Sequence, residues 1–187
     1  MFSGYRSKDH VKIVMDLGGK LTSKLKNCSV MVTDKLRMTA KMLSMLRRGV
    51  PVVSPAWVLE CHEQGGFVDP WNYILKDQFM EKLWDFNLGE SLKKENKEVF
   101  KGYSIHVTKN VEPGPELYKD IIENFGGTFK SKTLTKDDKK NSFAISCLKD
   151  REITKTMKDD GIDVVNRDFF ISAVLKQKLP KVTKYTM

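Results

Sequence analysis

The chain has 187 residues and a mass of 21.5 kDa, enough for one large domain or two small ones. Apolar residues make up 40% and charged residues 30%, as in folded soluble proteins, and no apolar run approaches the ~18 residues of a membrane span or resembles a signal peptide. The formal net charge of +9 favours an anionic partner such as nucleic acid, a phosphorylated protein or an acidic surface, without choosing among them.

The sequence repeats itself, and the repeat indicates the size of the folding unit. The pair Gly18-Gly19 recurs as Gly126-Gly127, 108 residues later, after a similar apolar stretch. The segment from Gly49 to Trp57 recurs from Gly161 to Phe169, at an offset of 112 residues. Two copies of one α/β unit are therefore predicted.

Each copy begins with a helix that a glycine pair terminates. A glycine just past the last apolar residue suits the left-handed backbone of a helix end. Gly19-Lys20 is therefore not a Walker-type phosphate loop, in which the glycines precede the helix. The residues at helical spacing that are expected to face the core are Val11, Val14, Met15 and Leu17 in the first copy, and Leu117, Ile121, Ile122 and Phe125 in the second.

A buried strand, a second helix and another buried strand follow. The strand between the two helices is the apolar run at 30–32, matched by 143–145 in the second copy. The helix is predicted to end at Gly49, after two arginines that the helix dipole favours in the last turn. The β-branched run at 50–53 is typical of a strand covered on both faces of a parallel sheet.

A third helix closes each copy. Ser54 is predicted to cap it in the first copy, with Pro55 at the first helical position, and Asn166 in the second. Trp57 is expected in the core, and Phe169 takes its place in the second copy. Strands that alternate with helices predict a parallel sheet flanked by helices.

The copies are predicted at residues 1–77 and 99–187, joined by a linker at 78–98. The linker is charged but rich in large apolar residues, so we expect it to pack across the interface between the copies and make them one rigid body. These residues are Phe79, Leu83, Trp84, Phe86 and Leu88.

These features resemble a tandem pair of BRCT domains over nearly the whole chain. The resemblance rests on the glycine pairs and the Val-Val-Ser-Pro-x-Trp segment at 52–57, and Val32-Thr33-Asp34, Gly102 to Thr108 and Val174 to Gln177 extend it. The chain is most similar to the pairs of DNA damage checkpoint mediators and of yeast replication-repair scaffolds with several BRCT repeats. The resemblance implies two BRCT repeats, each a four-stranded parallel sheet flanked by helices, packed head to tail through a helical interface.

The resemblance also implies a phosphoserine pocket in the first repeat, at Ser3, Gly4 and Lys41. A hydroxyl, an unhindered backbone N–H, an ammonium group and a helix N-terminus suit a phosphate dianion. Without the resemblance, Lys41 would be interpreted as a solvated helix lysine and Ser3-Gly4 as a frayed terminus.

Two alignments of Ser3 with the second copy compete. Phe2 to Tyr5 mimics Phe100 to Tyr103, but the offset of 98 would require ten inserted residues before the glycine pair. Aligning Ser3 with Thr108 gives an offset of 105, closer to the other offsets. Ser3 then follows the first strand, and we expect most of that strand to lie upstream of Met1.

One family position departs from the pattern. Related pairs have an arginine three residues before the pocket lysine, which reads the peptide backbone or its free C-terminal carboxylate, and this sequence has Met38 there. By the same resemblance, Arg167 lies beside the groove and could supply the missing cation, and Pro113 lines it. Considered alone, Arg167 would be a solvent-facing residue at a helix N-terminus.

The sequence does not favour catalysis or metal binding. His10, His62 and His106 lie in different predicted elements, with no nucleophile or carboxylate at a recognisable spacing. Cys61 and His62 are adjacent and project differently from a helix, and no second pair completes a zinc site. We therefore expect no enzymatic activity, metal or cofactor. The cysteines, expected as free thiols of a reducing compartment, are Cys28, Cys61 and Cys147.

Lysine clusters offer an alternative, a surface for nucleic-acid phosphates. They lie in predicted loops without interleaved aromatic residues for base stacking, which favours solvated loops and leaves a weak DNA contact open. The clusters are Lys93, Lys94 and Lys97; Lys130, Lys132, Lys136, Lys139 and Lys140; and Lys176, Lys178, Lys181 and Lys184.

The expected function is a non-enzymatic nuclear scaffold module of the DNA damage response that binds a phosphoserine peptide. The resemblance points to the phosphorylated C-terminal tail of histone 2A in chromatin as the ligand. No membrane and no small-molecule substrate is expected. The alternative is a BRCT module that binds nucleic acid or other proteins without phosphate specificity.

Overall fold

The computed structural model describes residues 1–95 and 98–187, which form two compact units, Met1–Lys94 and Glu95–Met187. Lys97, one of the predicted linker lysines, lies outside the described residues. No helix in the described ranges has the length and apolar character needed to cross a membrane.

The first unit is helical around a small parallel sheet. Its strands pair Met31 with Val52 and Val32 with Val53. The elements are α1 (Lys8–Asp16), β1 (Met31–Val32), α2 (Ala40–Arg48), β2 (Val52–Val53), α3 (Ala56–Glu63), α4 (Gln78–Trp84) and α5 (Leu88–Lys93).

The prediction of four strands in this unit is wrong. Beside β1 and β2, the sheet is extended by two single bridges, a parallel one from Phe2 to Val32 and an antiparallel one from Val53 to Ile74. Only Met1 to Ser3 pair with this edge of β1, and residues 20–22, after the glycine pair, form no strand.

The second unit has the predicted four-stranded parallel sheet, in the order β4-β3-β5-β6. β3 is central and pairs Ser104 with both Thr128 and Ser142. The elements are β3 (Ser104–Val107), α6 (Pro115–Asn124), β4 (Thr128–Lys130), β5 (Ser142–Ile145), α7 (Arg151–Asp159), β6 (Asp163–Val165) and α8 (Arg167–Lys176).

The helix ends follow the sequence signals with one exception. Gly18 and Gly49 adopt the left-handed backbone, with φ of +82° and +63°, just past α1 and α2. The Asn166 side chain accepts the N–H groups of the second and third residues of α8, as predicted. The cap predicted at Ser54 is wrong: Pro55 precedes α3 in helical conformation, and no side chain caps that helix.

Each unit has its own core. In the first, Trp57, Val58 and Cys61 of α3 pack against Val32 and Val53 of the sheet. In the second, the buried ring of Phe100 stacks on Phe170 and contacts other aromatic rings, including that of Phe143. Phe169 is buried as predicted from its match to Trp57. Met15 instead faces solvent, because it lies on the outer side of α1.

The linker helices divide by exposure. Leu88 and Leu92 of α5 are buried, and α5 packs on α2. Phe79 and Leu83 of α4 were expected to be packed, but they are 74% and 60% exposed. The apolar content of the linker therefore serves partly to anchor α5 in the first unit.

Candidate functional site

Ser3 and Gly4 lie where the chain leaves the sheet of the first unit. The Ser3 N–H donates to the carbonyl oxygen of Val32 at 3.0 Å, and the Thr108 N–H donates to that of Ile145 at the same distance. Ser3 and Thr108 therefore hold equivalent positions, which confirms the alignment at an offset of 105 residues.

Arg37 lies against Gly4, an association that the sequence reasoning missed. Gly4 has a φ of +62°, and a Cβ placed on it would lie 2.6 Å from Nη1, 2.7 Å from Cζ and 2.9 Å from Nε of Arg37. The guanidinium therefore covers the space that a side chain would need. The only signal in the sequence was an arginine directly before Met38, one position from where the family has it.

Short polar contacts fix the Arg37 guanidinium. Its Nη1 donates to Asp34 Oδ1 at 2.8 Å and to Thr33 Oγ1 at 3.1 Å, and it lies 3.5 Å from the carbonyl oxygen of Lys35. The hydrogen bond from Arg37 lowers the pKa of the Asp34 carboxyl. Asp34 is thus an ionised partner at neutral pH that holds one edge of the guanidinium.

Lys41 is the second residue of α2. The cap of this helix is Thr39, whose hydroxyl accepts the Met42 N–H at 3.3 Å. The Lys41 side chain is exposed, and its ammonium group forms no ion pair with any described residue. It lines a cavity of about 260 Å³ together with Met1, Phe2, Arg6, Val11, Leu21, Thr22 and Ser23. The basic side chains of Arg6 and Lys41 thus border the same cavity as the first two residues of the chain.

The equivalent place in the second unit is filled by a carboxylate. Ser146 corresponds to Thr33, since each donates its N–H to the last residue of the neighbouring strand. Four residues after Thr33 stands Arg37, whereas four residues after Ser146 stands the buried Asp150. Asp150 accepts the Asn110 N–H at 2.9 Å and the Asn110 side-chain amide at 2.6 Å.

Burial raises the pKa of Asp150, but hydrogen bonds from Thr108, Asn110 and Cys147 outweigh it, and the net pKa is lowered. The ionised carboxylate is therefore the stable form. The strand ends of this fold thus provide several donors to an anion, and the second unit supplies that anion itself.

The predicted groove residues are distributed over both units. Met38 is half-buried in the first unit. Arg167 is the exposed first residue of α8, 3.9 Å from Asp168, and borders a cavity of about 470 Å³ together with Lys149 and Glu112. Pro113 is exposed in the loop before α6, after a cis peptide bond.

Two of the histidines make hydrogen bonds within their own units. His10 shares a hydrogen bond of 2.7 Å with the Tyr5 hydroxyl, and His106 Nδ1 lies 2.9 Å from the carbonyl oxygen of Lys130. Within residues 1–95 and 98–187, no group of three or more His, Cys, Asp or Glu side chains is arranged to hold a metal ion. In the first unit, Arg37 lies against Gly4, whereas Lys41 borders a cavity whose lining does not include Ser3, Gly4 or Arg37.

Known proteins resemble both halves of the chain. Residues 98–186 match the family model described as the BRCT domain, and residues 1–75 match that of the BRCT domain of regulator of Ty1 transposition protein 107. Mediator of DNA damage checkpoint protein 1 of Mus musculus is 31% identical over 179 residues, and PAX-interacting protein 1 of Mus musculus is 31% identical over 192 residues. These alignments cover 95% and 96% of this chain but only 10% and 18% of the relatives.

Solved structures share the fold of the whole chain. The BRCT5-BRCT6 domains of Schizosaccharomyces pombe Brc1 have a TM-score of 0.77 at 23% identity, over 97% of this chain and 92% of that one. Rtt107p in its complex with phosphorylated histone 2A has a TM-score of 0.66 at 14% identity, over 98% and 88%. The two family matches, the relatives and the shared fold together show that the chain belongs to the tandem BRCT family.

Proposed function

We propose that this chain is a phosphoserine-peptide-binding module of the DNA damage response, acting in the nucleus as a scaffold without enzymatic activity. Its relatives include a mediator of the DNA damage checkpoint, and a protein of the same fold is described in complex with a phosphorylated histone. The chain spans about a tenth of the length of that mediator, so the proposal concerns this module only.

The observation that carries the proposal is the charge at the strand ends of the first unit. There an arginine lies over Gly4, and Lys41 and Arg6 border the adjacent cavity. A phosphate dianion needs positive charge and N–H or O–H donors, and Ser3, Gly4 and the first turn of α2 offer both kinds of donor nearby. The second unit, where Asp150 supplies an internal anion, leaves no equivalent vacancy for phosphate.

The phosphorylated C-terminal tail of histone 2A is the proposed ligand. Support comes from Rtt107p, which has the same fold and is described in complex with that phosphorylated histone. Ser3, Gly4 and Lys41 are proposed to bind the phosphate, and Met38, Pro113 and Arg167 to line the path of the peptide. Met38 offers no charge to a peptide carboxylate, whereas the exposed Arg167 guanidinium does.

A fluorescence polarisation titration tests this function. The probes are a fluorescein-labelled histone 2A tail peptide with phosphoserine and the same peptide without phosphate. We expect binding of the phosphorylated peptide only. Lys41→Met should weaken it about tenfold or more, because charge-assisted hydrogen bonds contribute ~1.5–3 kcal/mol each. Unfolding temperatures should not change, because Lys41 is exposed.

Lys12→Met is the matched control, since Lys12 is an exposed helix lysine of the same unit outside the Lys41 cavity. It should bind within about twofold of the wild type, as expected for screened surface charges. Equal affinity for both peptides, or unchanged affinity of Lys41→Met, would contradict the proposal. A steep salt dependence with duplex DNA and no preference for phosphoserine would instead support the nucleic-acid alternative.

A further inference from the structure

Arg37 has one edge occupied and one edge open. Its Nη1 makes every hydrogen bond of the guanidinium within the described residues, to Thr33, Asp34 and the carbonyl oxygen of Lys35. Nε and Nη2, which lie side by side on the other edge, form no hydrogen bond with a residue in the described ranges. The fork of two parallel N–H groups matches two oxygens of one carboxylate or phosphate.

The absence of a side chain at Gly4 brings this arginine to the strand end. A Cβ there would overlap Nη1, Cζ and Nε, so any other residue would push the guanidinium away. In the second unit the position after Thr108 is Lys109, and the acid Asp150 replaces the arginine. The glycine and the arginine therefore form one arrangement that only the first unit has.

We propose that Arg37 binds the phosphate of the ligand through its Nε–Nη2 edge, as a second cation in addition to Lys41. This inference rests on the proposed function and adds to it a residue outside the predicted set of Ser3, Gly4 and Lys41. Asp34 holds Nη1 and so orients the free edge, while its own negative charge is balanced by the same guanidinium. A side chain held in this way loses little rotamer freedom when it binds an oxyanion.

The test compares Arg37→Met, Arg37→Lys and Lys35→Met by fluorescence polarisation with the labelled phosphoserine tail peptide. Lys35→Met removes one positive charge from an exposed residue near Arg37, so it controls for the nonspecific electrostatic effect of losing a charge. We expect about a tenfold loss for Arg37→Met. Arg37→Lys should stay several-fold weaker than the wild type because an ammonium group cannot bind two oxygens as a fork. Lys35→Met should stay within about twofold.

Each variant is measured with the peptide as a free acid and as a C-terminal amide. If Arg37 contacts the phosphate, the affinity for the free acid and the affinity for the amide should fall by the same factor. A loss confined to the free acid would assign Arg37 to the peptide terminus and overturn the inference. So would an unchanged affinity of Arg37→Met, or a loss no larger than that of Lys35→Met.

Failure of this inference is separable from failure of the proposed function. If the wild type prefers the phosphorylated peptide and Arg37→Met retains that preference at full affinity, only the role of Arg37 is wrong. If the wild type shows no preference for phosphate, both are wrong. Arg37→Lys keeps the charge and the stem of the side chain, so it provides a readout if Arg37→Met unfolds.

Discussion

The two units have the same backbone at the ends of their sheets but opposite charges beside it. In each, the residue that leaves the first strand donates its N–H to the neighbouring strand at 3.0 Å. The first unit then offers Arg37 over a glycine, and the second encloses Asp150 among its own donors. The same corner of a duplicated fold thus holds an internal anion in the second unit, and in the first unit it is the proposed site for the phosphate of a ligand.

The largest effect should come from removing the internal anion. Asp150→Ala leaves the Asn110 backbone N–H and the Asn110 side-chain amide without their acceptor, so we expect about 3 kcal/mol of destabilisation, measured by urea unfolding. Asp137→Ala, which removes an exposed carboxylate in the same unit, should change little. An equal effect of the two would remove the special role of Asp150.

The lowered pKa of Asp150 also predicts how the stabilities of the wild type and Asp150→Ala depend on pH. A carboxyl whose folded pKa lies below its unfolded value of ~3.9 stabilises the fold above that value and loses this contribution as the pH falls through the folded pKa. The stability difference between wild type and Asp150→Ala should therefore be full at pH 7 and shrink below about pH 4. A difference independent of pH would contradict the ionised state.

Gly4→Ala should separate backbone strain from loss of the site. The left-handed backbone costs an alanine about 1 kcal/mol, and the added Cβ displaces Arg37. Gly65→Ala is the control, because Gly65 has a φ of +65° with no atom within 4 Å of an added Cβ. We expect similar losses in Tm, but a loss of phosphopeptide affinity only for Gly4→Ala. Equal affinities would uncouple Gly4 from binding.

The smallest expected difference concerns the third helix of each unit. Asn166→Ala removes a side chain that accepts two backbone N–H groups at 3.0 and 3.2 Å, at a cost of about 1 kcal/mol. Ser54→Ala should cost less than ~0.5 kcal/mol, since no side chain caps α3. Thermal unfolding of both variants measures this contrast, and a larger loss for Ser54→Ala would reverse it.

Features that depend on neighbouring residues were predictable from the sequence. The glycines end their helices because the left-handed backbone there disfavours a Cβ, and the Asn166 cap reaches only two and three residues ahead. Ser54 misled because Pro55 already adopts the helical conformation and takes the cap position itself.

The features that decide the site depend on residues far apart in the chain. Arg37 lies against Gly4 although 33 positions separate them. Asp150 accepts a hydrogen bond from Asn110, which is 40 positions away in the sequence. The family resemblance indicated Lys41 as the lysine of the expected pocket, but the sequence did not show that Arg37 lies against Gly4. Phe79 and Leu83 show the converse, since a large apolar residue in a linker need not be buried.

The most direct measurement is a titration of the ¹⁵N-labelled chain with the phosphoserine tail peptide, followed by NMR. We expect the amide signals of Ser3 and Gly4 and the Nε–H signal of Arg37 to shift on binding, while the amide signals of Thr108 and Ser146 at the equivalent corner do not. Shifts at Thr108 and Ser146 without shifts at Ser3 and Gly4 would contradict it.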